Sequence, residues 1–436
     1  MERHAVPDAQ KAAARRAAVA VLTWCWRGDA PAQSRCTARH LGLGVDASTR
    51  VVRLGCRGRC AETALHIGRI ADRFEDILHA AGTRLDDFTN WRPADLLHEE
   101  MIVNGDRTRV LVAGGGGFIG GWLARDLIAR GHEVRCADIK PLDEWFQVHA
   151  EVENLVLDLR DIACSRQAVA GISQVYNLAA DMGGMGFIET HKADCMLSVL
   201  INTHLLLAAR DAGVERYFYA SSACVYAADK QTSADVTALR ERDAYPAMPE
   251  DGYGWEKLFS ERMCRHFRED YGLETRVARF HNVYGPHGTY DGGREKAPAA
   301  ICRKVIQAKL SGTRDIEIWG DGLQTRSFMY IDDCIGGINR IMNSDIRDPI
   351  NLGSSELVSI NHLVNIVEEI AGVRLVRRYN PDAPKGVRGR NSDNAMIRRL
   401  LGWEPSTPLL VGMRKTHDWI AMMMTGRGTP PTPAAS

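Results

Sequence analysis

The run Gly114-Gly115-Gly116-Gly117-Phe118-Ile119-Gly120 most constrains what this chain can fold into. It follows Arg109-Val110-Leu111-Val112-Ala113, a short apolar run that reads as a buried strand, and it precedes helical character over residues 121–130. Strand, glycine turn and helix in that order make a dinucleotide site. Gly114 permits the tight turn, Gly117 lets the backbone approach a pyrophosphate, and Gly120 lets the helix pack on the strand. The helix N-terminus, with Phe118 and Ile119 beside it, then faces phosphate. A second strand over residues 133–137 ends at Asp138. An acid there accepts hydrogen bonds from a ribose diol and repels a 2′-phosphate, which favours NAD over NADP.

The alternation continues with strands expected over 154–157, 174–178 and 216–220 and helices over 162–170 and on to residue 212. Strands alternating with helices predict an α/β fold, a Rossmann-type doubly wound parallel sheet. Asp158 closes the third strand, where it could meet an adenine ring, and Ala179-Ala180 follows the fourth. The loop Asp181-Met182-Gly183-Gly184-Met185-Gly186 falls at the carboxyl edge of the sheet, where ligands bind in such folds. Further on, helices over 298–309, 332–342 and 360–371 with strands over 315–319 and 349–352 predict a smaller α/β substrate-binding lobe.

Residues 1–105 read as a small separate α/β unit, 106–424 as the nucleotide-binding core with its lobe, and 425–436 as a Gly-, Pro- and Ser-rich disordered tail. In the first unit a strand is expected over 51–54, an amphipathic helix over 61–81 and a polar linker over 86–106. The apolar run over 17–26 resembles a signal segment, but Glu2 and Asp8 precede it and no small-residue cleavage site follows, so a buried strand is expected. Cys25, Cys36, Cys56 and Cys60 also lie in this unit. Four thiolates can bind zinc or an iron–sulphur cluster, yet the spacings fit no standard finger, and plain cysteines are the simpler expectation. The other seven of the eleven cysteines are spread over 136–334 inside apolar segments, which suits reduced thiols of a cytoplasmic protein. Acidic and basic residues balance at 55 each, so charge gives no case for nucleic acid or an acidic membrane surface. No apolar run is expected to span a bilayer.

Tyr253 and Lys257 stand four apart and so share a helix face. A nearby ammonium and a positive nicotinamide should lower the phenol's pKa, letting it take a hydroxyl proton while hydride leaves for NAD. Ser222, at a strand end, could orient the same hydroxyl.

These motifs identify residues 108–425 as resembling the extended short-chain dehydrogenase/reductases, and within them the GDP-mannose 3,5-epimerases. The resemblance is carried by Ala179-Ala180-Asp181-Met182-Gly183-Gly184-Met185-Gly186, Tyr219-Ala220-Ser221-Ser222-Ala223-Cys224 and Arg279-Phe280-His281-Asn282-Val283-Tyr284-Gly285-Pro286. It continues through Gly293-Arg294-Glu295-Lys296-Ala297-Pro298, Gly322-Leu323-Gln324-Thr325-Arg326-Ser327 and Gly386-Val387-Arg388-Gly389-Arg390-Asn391. The first hundred or so residues lie outside it; the stretch from Cys25 to Arg59 resembles the small iron–sulphur subunit of methanogen hydrogenases, with several of that family's cysteines unmatched.

The epimerase resemblance implies tightly held NAD, oxidation of the sugar of GDP-mannose at C4, and proton exchange at C3 and C5 by a cysteine and a lysine that match Cys224 and Lys296. It implies a homodimer and substrate contacts from Gly183, Ser222, Ala223, Cys224, Asn282, Glu295, Lys296, Ala297, Lys304, Gln324, Thr325, Arg326 and Arg388. The cations Lys304, Arg326 and Arg388 suit diphosphate oxygens. A dehydratase of the superfamily normally carries Asp-Glu where Ala223-Cys224 stands, and a C4-epimerase needs neither Cys224 nor Lys296. A metal- or redox-sensing binding module on a sugar-nucleotide scaffold is the reading from another class.

Overall fold

A computed structural model of the 436-residue chain describes residues 41–46, 51–56 and 108–426. The chain divides between Gly105 and Asp106. Of the first unit the structure describes an antiparallel pair, β1 (Leu41–Asp46) with β2 (Val51–Cys56). The expected strand at 51–54 is the core of β2. β1, with Gly42 and Gly44 in place of strand formers, gave no pattern to read. The expectations for 17–26, 61–81 and 86–106, and for Cys25, Cys36 and Cys60, fall outside the described residues, and Cys56 is described only in its backbone.

In the second unit the elements in order are β3 (Arg109–Ala113), α1 (Phe118–Ala129), β4 (Glu133–Asp138), β5 (Glu153–Val156), α2 (Ile162–Val169), β6 (Gln174–Asn177), α3 (Met185–Thr190), α4 (Lys192–Asp211), β7 (Arg216–Ser222), α5 (Tyr253–Tyr271) and β8 (Glu274–Phe280). Then come β9 (Val283–Tyr284), α6 (Ala297–Ser311), β10 (Asp315–Trp319), β11 (Thr325–Ser327), β12 (Met329–Tyr330), α7 (Ile331–Met342), β13 (Ile350–Leu352), β14 (Leu357–Ser359), α8 (Ile360–Ala371), β15 (Val376–Asn380), β16 (Gly389–Arg390), α9 (Ala395–Leu401) and α10 (Leu409–Met424).

Seven strands form one parallel sheet in the order β13-β8-β7-β6-β3-β4-β5. The central strand shows why helices cover both faces. Leu111 and Ala113 pack against residues of α2, α4 and α5, while Val110 and Val112 pack against α1. Both sets are fully buried, so β3 reads as an unbroken apolar run. The chain winds from β3 out to β5, then crosses back to β6 and winds the other way, so order reverses between β3 and β6 and opens a crevice at their carboxyl ends. The α1 side of the core continues without a break into α6, α7, α8 and α10, which fixes the smaller lobe beside that crevice.

Most expected elements lie within a few residues of those observed. The glycine-turn helix starts at Phe118, not residue 121, because Gly117 N–H donates to Gly114 O at 3.0 Å and closes the turn at once. Helix α4 departs from the expectation of no membrane-length apolar segment. By length and composition alone, this 20-residue helix, with an 18-residue stretch at mean hydropathy 1.2, could cross a membrane. It has two apolar faces. Leu205, Leu206 and Ala209 are buried under the sheet, and Met196, Leu197 and Leu200 are exposed.

Helix α5 is pinned to the sheet by a buried ion pair. Arg279 of β8 donates to both Glu261 oxygens, at 2.9 and 2.7 Å, and Ser221 Oγ–H of β7 donates to the same carboxylate at 2.5 Å. Both charges are almost wholly buried. Removing one partner strands the other in a dry core. Arg279→Met is expected to destabilise the fold by about 3–5 kcal/mol in urea unfolding followed by fluorescence; a loss below about 1 kcal/mol would show that the pair does not hold the helix.

Candidate active site

The crevice opens into a cleft of about 1150 Å³ running from the glycine turn to the smaller lobe. At its cofactor end Gly114 has φ +84°, and a Cβ at Gly120 would stand 2.0 Å from the Gly114 carbonyl oxygen. Only glycine lets helix and turn approach so closely. Lys140 Nζ donates to Gly116 O at 2.6 Å and fastens the turn, while Lys140 N–H donates to Asp138 Oδ1 at 3.1 Å. Gly117, Phe118, Ile119, Asp138 and Asp158 line this end. Asp158 is paired with Arg160 at 2.8 Å, whose hydrogen bond holds its carboxyl below the ordinary range. The glycine cradle, the α1 N-terminus and Asp138 fit a dinucleotide with a free ribose diol.

At the sheet edge Ser222 ends β7 with its Oγ accepting from Cys224 N–H at 3.2 Å. That bond caps the short turn Ala223–Val225 and delivers Cys224 into the cleft. Tyr253 opens α5, and Lys257 stands one turn on, its Nζ 5.4 Å from the Tyr253 ring centre. Lys257 Nζ also lies 3.5 Å from Glu256 Oε2. The expected lowering of the Tyr253 phenol is not what the structure gives. Burial pushes it well above its ordinary value, Cys224 and Glu256 push it further, and only the Ser222 hydrogen bond opposes. In a dry pocket the Lys257 charge is shared with Glu256, so it does not offset desolvation.

Cys224 and Lys296 act on one another across the cleft. Burial, and after it the Glu250 charge, push the thiol up to about 11 against the opposing charge of Arg390, whose guanidinium donates to Sγ at 3.5 Å. Lys296 is the N-cap of α6, where the helix dipole also disfavours an ammonium. Burial lowers its amine, and the charge of Cys224 pulls it back up.

The loop carrying Gly183 packs on the segment carrying Lys296. Gly184 N–H donates to Arg294 O at 3.0 Å, and a Cβ on Gly184 would stand 2.4 Å from Glu295 O. Glu295 is held by Arg303 at 2.8 Å. Asn282 lines the cleft in the left-handed region, with φ +37°, and donates to Ser327 O at 3.0 Å. Lys304 donates to the Glu317 carbonyl at 2.9 Å and to its carboxylate at 3.3 Å. Gln324 donates to Trp319 O at 2.7 Å while its buried Oε1 has no hydrogen-bond partner.

Among the described residues, Arg326 donates to the carbonyls of Thr325, Lys385 and Val387 alone. Burial, and after it the Arg390 charge, bring it down to about 10 against the support of Glu250 and Cys224, which marks a cation short of counter-charge. Ala223 and Ala297 line the cleft as well.

Thr325 and Arg388 do not line the cleft. Thr325 donates to Ala234 O at 2.6 Å, and Arg388 pairs with Asp321 at 2.8 Å, so both side chains are already engaged. Sequence reasoning missed Arg390, Glu250 and Glu256.

A doubly wound sheet with a glycine phosphate cradle at its switch point, and a Ser–Tyr–Lys set facing it, define an enzyme of the extended short-chain dehydrogenase/reductase type. The chain belongs to the NAD dependent epimerase/dehydratase family, which matches residues 110–353, and its cofactor is NAD. It is 46% identical to GDP-mannose 3,5-epimerase 1 of Oryza sativa subsp. japonica over 325 residues, covering 74% of this chain and 84% of that one. The GDP-mannose 3,5-epimerase of Arabidopsis thaliana is 44% identical over 325 residues, covering 74% and 85%. Among solved structures, UDP-glucose 4-epimerase of Thermus thermophilus in complex with NAD aligns with a TM-score of 0.63 at 24% identity, over 71% of this chain and 98% of that one, and shows the shared fold.

Because burial holds the proton on Cys224 up to about pH 11, its alkylation by iodoacetamide, resolved by peptide mass spectrometry, is expected to rise about tenfold per pH unit from pH 7 to 10. A plateau below pH 9 would contradict the assigned environment.

Proposed function

We propose that this chain epimerises GDP-mannose at C3 and/or C5 through a transient 4-keto sugar, giving GDP-L-galactose and/or GDP-L-gulose. The observation that carries this reading is a thiol and an amine, Cys224 and Lys296, within electrostatic reach of one another in the cleft that also holds Ser222 and Tyr253. The relatives from Oryza and Arabidopsis, named for this reaction, support it.

NAD supplies the hydride acceptor at C4 and afterwards the hydride donor. Tyr253 takes and returns the C4 hydroxyl proton, oriented by Ser222, and the positive charge of bound oxidised nicotinamide would favour its phenolate. The C4 ketone acidifies the protons on C3 and C5. Of Cys224 and Lys296, one removes a proton while the other delivers one to the opposite face. Burial brings both pKa values toward the neutral forms, so neither carrier is locked in a charged state.

Arg326 and Lys304 hold the diphosphate with Asn282. Gly183, Ala223, Glu295, Ala297 and the unpartnered Gln324 Oε1 bound the sugar. Thr325 and Arg388 join only by giving up their present partners, so they act from behind the cleft. The chain works in the cytoplasm, in keeping with the seven free thiols from Cys136 to Cys334.

In deuterated water with GDP-mannose, the enzyme is expected to place deuterium at C3 and C5 by NMR. Cys224→Ala and Lys296→Ala should each cut epimerisation about 10²–10⁴-fold while C4 oxidation persists, and Tyr253→Phe should stop exchange altogether. Full epimerisation by either of the first two variants would remove that residue from the reaction, and deuterium at C5 alone would restrict the product to the gulose.

The enzyme works as a homodimer. Support comes from Met196, Leu197 and Leu200 of α4 and from Trp255 and Phe259 of the adjacent α5, which expose large apolar side chains together. Phe259→Glu is expected to halve the mass seen by sedimentation; an unchanged mass would mean that this face joins no copies.

A further inference from the structure

Each epimerisation leaves the Cys224–Lys296 pair with its proton on the wrong member for repeating the same step. A buried thiol therefore needs a route to solvent, and the main cleft is filled by substrate at that moment. Arg390, buried in β16, sits at the centre of the candidate route. Its Nε donates to Gln231 Oε1 at 2.6 Å, one terminal nitrogen donates to Cys224 Sγ at 3.5 Å, and the other makes a short ion pair with Glu250 Oε1. Glu250 Oε2 is buried and has no hydrogen-bond partner among the described residues.

Two cavities meet at this group. Cys224 and Arg390 line the main cleft, whereas Glu250 lines a second pocket of about 270 Å³ that Gly386, Val387, Lys192 and Asp251 also bound. Neither Cys224 nor Arg390 lines that second pocket, and Glu250 does not line the cleft. Glu250 thus stands between the thiol and a separate opening. Its backbone is tied to the same place, since Glu250 N–H donates to Cys224 O at 3.0 Å.

We propose that Glu250, positioned by Arg390, relays protons between the Cys224 thiol and water in the second pocket. When the thiol must lose its proton, the S–H bond breaks, the proton passes to a Glu250 oxygen, and the resulting carboxylic acid gives it to water. The reverse sequence recharges a thiolate, and no electrons move. Arg390 faces both anions and stabilises whichever one is charged. The other charged groups facing this carboxylate are Arg326, whose charge it supports, and the Lys192–Asp251 pair, 2.8 Å apart, on the pocket wall. The inference rests on Cys224 carrying a substrate proton, as in the proposed function.

The holoenzyme with GDP-mannose in deuterated water separates the two. Glu250→Gln keeps the size and the bond to Arg390 but holds no transferable acid proton. Deuterium uptake at C3 and C5 is expected to slow at least about tenfold, with the transient absorbance of reduced nicotinamide unchanged, and added formate should restore uptake. Val387→Trp, which narrows only the second pocket, should slow uptake too. Wild-type uptake in Glu250→Gln or in Val387→Trp, or a loss that formate does not restore, overturns the relay and leaves the epimerase reading standing. Absence of uptake in the wild-type enzyme overturns the epimerase reading itself, and the relay with it.

Discussion

Water is withheld from Cys224 and Lys296, and the loss moves them in opposite senses. A thiolate and an ammonium are both costlier in a dry cleft, so burial raises the thiol to about 11 and lowers the amine. Their mutual attraction works the other way and favours the charged pair. The balance leaves one proton to share between two groups, which is what inversion of a carbon centre requires of its acid and base. Were the cleft wet, both groups would sit at their ordinary values and both would be mainly protonated near neutral pH, leaving little free base to accept a proton.

Keeping the pair dry and in register demands rigid supports. Cys224 hangs from the end of β7 by the Ser222 cap, and Lys296 is fixed as the N-cap of α6. Between them, Tyr253 and Lys257 depend on α5 staying against the sheet. Glu261, held by Arg279 and Ser221, provides that anchor, and Glu256 adds a second one by accepting from Tyr219 of β7 at 3.0 Å. Burial raises the Tyr253 phenol, and Glu256, after Cys224, raises it further. The carboxylate that anchors the helix takes up the Lys257 charge that would otherwise stabilise a phenolate.

What the sequence made legible was local. Strand, glycine turn and helix lie within about two dozen residues, and their steric logic is written in single positions such as Gly114 and Gly120. Tyr253 and Lys257 are legible because helix periodicity puts them on one face. Arg390 was not legible, because its partners Cys224 and Glu250 are 166 and 140 residues away in sequence. Nor could the residue type alone say which cations are free. Arg326 and Arg388 both suit a diphosphate on paper, but Asp321 already neutralises Arg388 while Arg326 meets only carbonyls.

That contrast between two arginines gives the smaller lobe its part in the chemistry. Arg326 and Arg390 occupy neighbouring strands, β11 and β16, in register with one another. Arg390 is neutralised by Glu250, and its presence lowers Arg326 further. A bound diphosphate would relieve Arg326 and return it toward its ordinary value, so substrate binding and the charge near Cys224 are electrostatically linked through one pair of strands. The linkage has a definite sign. Arg326 and a Cys224 thiolate attract one another, so a diphosphate that neutralises Arg326 withdraws that support and disfavours the thiolate. The thiol is therefore held more firmly in its protonated form when a sugar nucleotide is in place, poised to deliver a proton rather than to be alkylated or oxidised.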